Sequence, residues 1–318
     1  MEPLTIDRTH IVVLNYNGRT WLERCLPSIR EAAARAAVPC PVTVVDNGST
    51  DDSVELVTRQ WPDVWVVREK NSGLASFNRV LSRMNESVVL LLNSDIQLAP
   101  DAVGPLLEPF QRHDDVLFTA PLCWAFDGRT YEGMRTRVRS RFGLVQGMCR
   151  VPGHEQAAKI PDLTASAGPV LAVDRRRFLE IGGYDPIYFP GRIEDLDLGF
   201  RGWMAGFRGY YVPESVAYHR GFGTFETEVG LARSERLARR NTLLFMWKNT
   251  AGPRLVKHLL WLPIRVAGAV ARGQFGFAAA TFEALARLDR VLEARRAWPL
   301  RGAEWVVRQE AFYRHFRW

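Results

Sequence analysis

The chain has 318 residues, 47% hydrophobic and 24% charged, so it holds enough apolar material for a sizeable core and too much for a disordered or low-complexity chain. Its four cysteines, Cys25, Cys40, Cys123 and Cys149, stand far apart with no CxxC pair, which argues against a zinc ribbon or a disulfide framework and fits a reducing cytosol. The net charge of +7 is uneven: residues 1–230 carry 25 basic against 29 acidic side chains, and residues 231–318 carry 17 against 6.

The first ten residues include Glu2 and Asp7 and lack an apolar stretch, so no secretory signal is expected there. Short apolar runs at His10–Leu14, Val42–Val45, Val64–Val67 and Val88–Leu92 have the pattern of strands covered on both faces. Helical stretches at Trp21–Ala37, Asp52–Gln60 and Leu74–Asn85 alternate with them. This spacing predicts βαβ units and an open, doubly wound, mostly parallel sheet, an α/β fold whose ligands bind beyond the carboxyl ends of the strands. From Leu122 to Pro161 the pattern loosens; Arg135, Arg137, Arg139 and Arg141 alternate with smaller residues and suggest a long hairpin or mobile loop. A strand is expected at Thr164–Val173, then helices near Arg175–Ile181 and Glu194–Ala205, then strands Tyr210–Val212 and Ser215–Tyr218. Beyond residue 230 the chain reads as helical, broken at Gly252-Pro253 and near Pro299.

Three strand ends carry chemistry. Asn93-Ser94-Asp95 closes the most apolar strand, where a carboxylate suits a hard cation able to bridge two phosphates; the alternative is a turn and helix cap. Asp46-Asn47-Gly48-Ser49-Thr50-Asp51-Asp52 combines capping residues with an Asp placed to accept hydrogen bonds from a base or ribose. Glu194-Asp195-Leu196-Asp197-Leu198 is the densest carboxylate cluster and opens a helix, which suits a general base and equally a solvated helix start with an ion pair. His219 closes a strand and is able to complete a metal site begun by Asp95. No GxGxxG, Walker A or Gly-X-Ser-X-Gly run is present.

Together with Ile11–Asn17, Asn71–Asn78, Gly168–Val173 and Gly182-Gly183-Tyr184-Asp185, these segments resemble the family 2 inverting glycosyltransferases of GT-A fold over about residues 10–250. The nearest look is to the bacterial rhamnosyltransferase-like branch. The resemblance implies a catalytic domain at 1–230, with a donor half to about 125 and an acceptor half at 126–230, followed by a basic helical extension at 231–318. It implies that Asp46 binds the nucleobase with Asn15 and Tyr16, and that Asn71, Asn78, Asn93, Ser94 and Arg201 belong to the donor side. Asp95 matches the second acidic position of the family's DxD motif, with Asn93 at the first. Asp95 and His219 would hold Mn²⁺ or Mg²⁺, and Asp195, paired with Glu194, would be the catalytic base. The implied reaction is one in-line displacement on a nucleoside-diphosphate-sugar by a hydroxyl of a cell-surface or lipid-linked glycan, with inversion. Segment 136–160 is expected to shape the acceptor site.

The basic segment has no stretch of the ~20 apolar residues that a spanning helix needs. Its helices are expected either to pack on the enzyme or a second copy, or to lie peripherally on the inner, anionic face of the cell membrane, a cytoplasmic location. Nucleic acid is not an expected partner, since no nucleic-acid motif accompanies the charge. A catalytically inactive sugar-nucleotide-binding scaffold and a sugar nucleotidyltransferase stand as alternatives; the latter needs a basic, Gly-rich triphosphate loop that Asn15–Arg19 does not supply.

Overall fold

A computed structural model describes residues 4–221 and 230–318 of the chain; Phe222-Gly223, which follow the His219 strand, and the expectation about the first ten residues, as far as it concerns Met1–Pro3, fall outside the described residues. The first half alternates strands and helices: β1 (Thr9–Asn15), α1 (Arg19–Ala34), β2 (Val42–Asp46), α2 (Ser53–Gln60), β3 (Trp65–Arg68), α3 (Ser76–Leu81), β4 (Val88–Asn93), β5 (Ile96–Leu98), α4 (Val103–Arg112) and β6 (Val116–Ala125). Next come β7 (Tyr131–Gly133), β8 (Arg137–Arg141), β9 (Leu144–Met148), α5 (His154–Ala157), β10 (Asp162–Leu163), β11 (Val170–Asp174), α6 (Arg175–Glu180), α7 (Glu194–Ala205) and β12 (Arg208–His219). Five helices end the chain: α8 (Leu231–Asn249), α9 (Gly252–Ala271), α10 (Phe275–Leu285), α11 (Leu288–Ala297) and α12 (Gly302–His315).

The main sheet has the order β10-β12-β6-β11-β4-β1-β2-β3, with β5 added to β12 and β7 to β6. β3, β2, β1 and β4 run parallel; the apolar runs of β1, β2 and β4 are covered on both faces, as the sequence pattern requires, whereas β3 is the edge strand and leaves Trp65 60% exposed. β11 enters antiparallel between β4 and β6.

Several boundaries differ from the expected ones, each for a local reason. The helix expected to Asn85 stops at Leu81, and the chain tightens into i→i−3 bonds from Arg83 to Val80 and from Met84 to Leu81. The strand expected from Thr164 starts at Val170, because Gly168 is left-handed (φ +81°) and Pro169 follows it. The two strands expected at 210–218 are one strand whose register slips between Val212 and Val216, where Pro213 and Glu214 bulge out. The Arg-rich segment is an ordered β8–β9 hairpin, with Val138 and Val145 buried.

Two cores result. The larger fills both faces of the sheet; the second joins the hairpin, α7, α8 and α12. In the second, the Phe200 ring meets Phe245 at 5.5 Å and Phe312 at 5.0 Å, both edge to face. Helices α8 and α12 are thus packed on α7. α9 differs: of its 20 residues only His258 and Ala269 are buried. His258 fastens it, donating from Nδ1 to Gly143 O (2.8 Å) at the hairpin tip and accepting at Nε2 from Trp247 of α8 (2.9 Å).

The polar centre of the second core is Asp197, fully buried on α7. It accepts from Tyr188 Oη (2.8 Å), Arg201 Nε (2.7 Å), Lys248 Nζ (2.8 Å) and Asn249 Nδ2 (2.6 Å). Burial opposes its ionisation, but the Arg201 and Lys248 charges outweigh that and hold the carboxyl well below the usual range. Because the folded state favours the ionised form, this contribution is present above the ordinary carboxylate pKa of about 4 and is lost as pH falls through the folded value. Replacing Lys248 by Met leaves a buried carboxylate short of one countercharge and is expected to cost about 3 kcal/mol in urea unfolding; a loss below about 1 kcal/mol would show that Lys248 does not hold α8 to α7.

Candidate active site

Strand register gathers the first group of site residues. Asn15 pairs with Asp46, Asp46 with Arg68, and Leu14 with Asn93, so the carboxyl ends of β1 to β4 form one edge. Asp46 accepts from Ser49 N (3.2 Å) and borders a cleft of about 350 Å³ shared with Arg68 and Glu69. Asn15 is fully buried; its Nδ2 donates to Ser53 Oγ (2.9 Å) and Ser49 Oγ (3.2 Å), tying β1 to the following turn. Among the described residues its Oδ1 has no hydrogen-bond partner, and a Cβ at Gly18 would overlap it. Tyr16 stands at the rim, 39% exposed. Asn71 accepts at Oδ1 from Asn47 Nδ2 (3.2 Å) and Gly73 N (3.0 Å), shaping the loop after β3.

Two residues expected on the donor side are committed elsewhere. Asn78 donates to Tyr184 O (2.8 Å) and accepts from Tyr184 N (2.9 Å), so its amide clamps the Gly183–Tyr184 backbone. Arg201 is buried, with Nε on Asp197, Nη1 on Ile181 O (2.5 Å) and Nη2 on Gly183 O (2.6 Å). All three of its guanidinium nitrogens are thus engaged in tying α7 to Asp197 and the Ile181–Gly183 backbone. Helical spacing placed Arg201 next to the acidic cluster but did not show which way it turns.

At the tip of β4, Asn93 is half-buried and Ser94 and Asp95 are buried. β5 pairs Ile96 with His219, which sets His219 Nε2 3.6 Å from Asp95 Oδ2. Glu132 of β7 lies on the other side of the ring, Oε2 3.7 Å from Nδ1. Burial would lower the His219 pKa; Asp95 and Glu132 outweigh it and push it up to about 9. A carboxylate oxygen and an imidazole nitrogen at this separation fit a divalent cation of the Mn²⁺ or Mg²⁺ kind that takes its remaining ligands from phosphate and water. Among the described residues no group of three His, Cys, Asp or Glu side chains converges on a metal position.

The second carboxylate pair sits at the start of α7. Gly191 leads into Arg192 (φ +82°) and Ile193 (φ +76°), two non-glycine residues in the left-handed region, the latter β-branched. Such strain costs about 1–3 kcal/mol per residue and persists only where packing enforces it. Here Asn241 of α8 does so, donating from Nδ2 to Gly191 O (2.7 Å) and Arg192 O (2.8 Å). The strained turn delivers Glu194 and Asp195 at the helix N-terminus, and among the described residues Asp195 Oδ1 and Glu194 Oε2 are buried without a hydrogen-bond partner. Burial and the neighbouring Glu194 charge push the Asp195 carboxyl well above its ordinary range, against the Tyr184 hydroxyl, which lowers it. Gly199 of α7 lies against the Ala165 backbone, and Pro169 O, four residues on, accepts from Asn93 N (3.0 Å). A further cleft of about 460 Å³, among Pro109, His113, Asp162 and Tyr210, lies at the opposite end of β12 from His219. Sequence reasoning missed Arg68 and Glu132; Glu132 stands in a loosely patterned segment, and no local signal marks it.

The model of glycosyl transferase family 2 matches residues 10–180 of the chain. An N-acetylglucosaminyl-diphospho-decaprenol L-rhamnosyltransferase of Mycobacterium tuberculosis is 30% identical over 244 residues, covering 69% of this chain and 78% of the relative. Among solved structures, S. aureus TarS 1-349 with UDP-GlcNAc aligns over 98% of this chain and 91% of its own (TM-score 0.55, 16% identity). The mannosyltransferase PcManGT from Pyrobaculum calidifontis, with GDP-Man and Mn²⁺, aligns over 100% and 90% (TM-score 0.51, 17% identity). At these identities the two structures establish the fold: mixed α/β of GT-A type with a helical C-terminal region.

Since the folded state disfavours ionised Asp195, the parent chain loses stability as pH rises above the ordinary carboxylate value of about 4. Asp195→Asn is therefore expected to melt at the parent's temperature near pH 4 and above it at pH 8; a variant that melts lower at pH 8 would show that Asp195 is not a strained carboxylate.

Proposed function

The chain belongs to glycosyl transferase family 2, and from that membership we propose an inverting, metal-assisted transfer from a nucleoside-diphosphate-sugar to a hydroxyl of a lipid-linked glycan. The carrying observation is a pair of buried carboxylates in different surroundings: Asp95 beside His219, and Asp195 at the start of α7 with an unpartnered oxygen among the described residues. A raised carboxyl pKa suits a general base that takes the acceptor hydroxyl proton as the oxygen attacks the anomeric carbon from the face opposite the diphosphate. Glu194 keeps that pKa up through its charge. Asp46 and the β1–β2 edge hold the nucleoside, with Tyr16 at the rim. Asp95 and His219 are the residues that hold a divalent cation, which when bound supplies charge stabilisation for the departing diphosphate. The mycobacterial relative is named as an L-rhamnosyltransferase of N-acetylglucosaminyl-diphospho-decaprenol; on that likeness we take the acceptor class to be a polyprenyl-diphosphate-linked sugar and the donor a deoxyhexose nucleotide. Asp195→Asn is expected to cut transfer about 10²–10⁴-fold while retaining nucleoside diphosphate binding. Asp95→Ala is expected to abolish Mn²⁺-stimulated transfer. Full turnover in the first variant, or unchanged Mn²⁺ dependence in the second, would overturn the corresponding role.

Such an acceptor lies in a membrane, and we propose that α9 and α10 meet it. No helix among the described residues is long and apolar enough to cross a bilayer. α9 nevertheless leaves Leu259, Leu260 and Ile264 exposed, and α10 Phe282 (71%), within a segment carrying 17 basic against 6 acidic residues. The hairpin tip joins this face: Phe142 packs on Trp261 (5.0 Å), and Arg265 donates to Phe142 O (3.0 Å). Apolar side chains ringed by cations suit an anionic bilayer surface. The full chain is expected to co-sediment with vesicles of phosphatidylglycerol and phosphatidylcholine at low salt, and Leu260→Glu with Ile264→Glu to stay in the supernatant. Equal binding to pure phosphatidylcholine, or no binding to either, would sink the docking role.

A further inference from the structure

We propose that Glu132 is the positioning residue that sets His219 as a metal ligand. This rests on the reading that Asp95 and His219 hold a divalent cation. The two ring nitrogens of His219 face different carboxylates: Nε2 faces Asp95 Oδ2 at 3.6 Å, and Nδ1 faces Glu132 Oε2 at 3.7 Å. A cation shared with Asp95 must use Nε2, so the ring proton belongs on Nδ1, aimed at Glu132. A metal-bound histidine generally donates its second N–H to a carboxylate or carbonyl, which fixes both the tautomer and the ring plane. The 3.7 Å separation is ion-pair distance, a few tenths of an ångström beyond a hydrogen bond.

Glu132 is built into place rather than resting there. Its side chain is 12% exposed, and its other oxygen, Oε1, accepts from Arg150 Nη2 at 3.0 Å. Arg150 is itself anchored by Nε on Tyr131 O at 2.7 Å. Across from the carboxylate, Gly221 has φ +70°, and a Cβ there would come within 3.1 Å of Oε1. β6 organises the pair: it carries β7, with Glu132, on one edge, and β12, ending at His219, on the other.

The test turns on hydrogen-bond polarity. In Glu132→Gln, Arg150 still requires the side-chain oxygen, so the amide NH₂ faces His219 Nδ1. The ring then accepts at Nδ1 and carries its proton on Nε2, where the cation would bind. Glu132→Asp keeps an acceptor. The full-length chain is titrated with Mn²⁺ alone, following the electron paramagnetic resonance of the free aqua ion, with the metal-free melting temperature recorded for each variant. Glu132→Gln is expected to bind Mn²⁺ about 10–100-fold more weakly than the parent at an unchanged metal-free melting temperature, with Glu132→Asp in between. Binding by Glu132→Gln within twofold of the parent overturns the positioning role and leaves the Asp95–His219 site standing. A parent chain that binds no Mn²⁺ overturns both.

Discussion

The buried carboxylate of Asp197 ties helix α7, which carries the Glu194–Asp195 pair, to the C-terminal segment, and much of the candidate site depends on that tie. Four donors from three parts of the chain converge on it: Tyr188, Arg201, and the Lys248–Asn249 pair of α8. Breaking such a buried ion pair by removing one partner costs several kcal/mol, because an uncompensated charge stays in an apolar surround. Immediately before Glu194, the left-handed Arg192–Ile193 turn is braced from the same helix by Asn241. Position and strain at the Glu194–Asp195 pair therefore come from helix α8, which the charge pattern would assign to a separate tail.

The two carboxylate sites are tuned in opposite directions by their surroundings. Asp197 is ionised because cations surround it; Asp195, two residues away, is pushed towards its protonated form because burial and Glu194 are not offset by a cation. Divergent pKa values in neighbouring carboxyl groups are how one fold separates a structural charge from an acid–base group. His219 follows a third logic: burial would lower its pKa, but the two flanking carboxylates outweigh that and favour its charged form.

Much of the donor edge was legible in the sequence. Runs such as Val88–Leu92 are apolar on both faces, which only a covered parallel strand satisfies, and the polar residues after each run must then lie at the sheet's carboxyl edge. Asp46, Asn15 and Asp95 are found there. The bracing contacts of Asn78 and Arg201 were not legible, because their polar ends pair with backbone groups more than 15 positions away, at Tyr184 for Asn78 and at Ile181 and Gly183 for Arg201, and no periodicity encodes such a pairing. Glu132 was invisible for a similar reason: its meaning comes from a neighbour 87 positions on, brought near only by the edges of β6.

Sequence alone determined the alternation of strand and helix, the carboxyl-edge motifs, the family resemblance and the location of the basic excess, because each is written in local spacing or composition. Tertiary structure decided which polar groups are tied into the packing and which keep a free buried atom, since that depends on what lies opposite a side chain rather than beside it. It also divided the +11 segment in two. α8 and α12 are buried as the wall of the second core, while α9 keeps an apolar face exposed among its cations. The charge excess is a property of the residues; whether it faces a core, a membrane or solvent is fixed only by the packing that buries one helix and leaves the next uncovered.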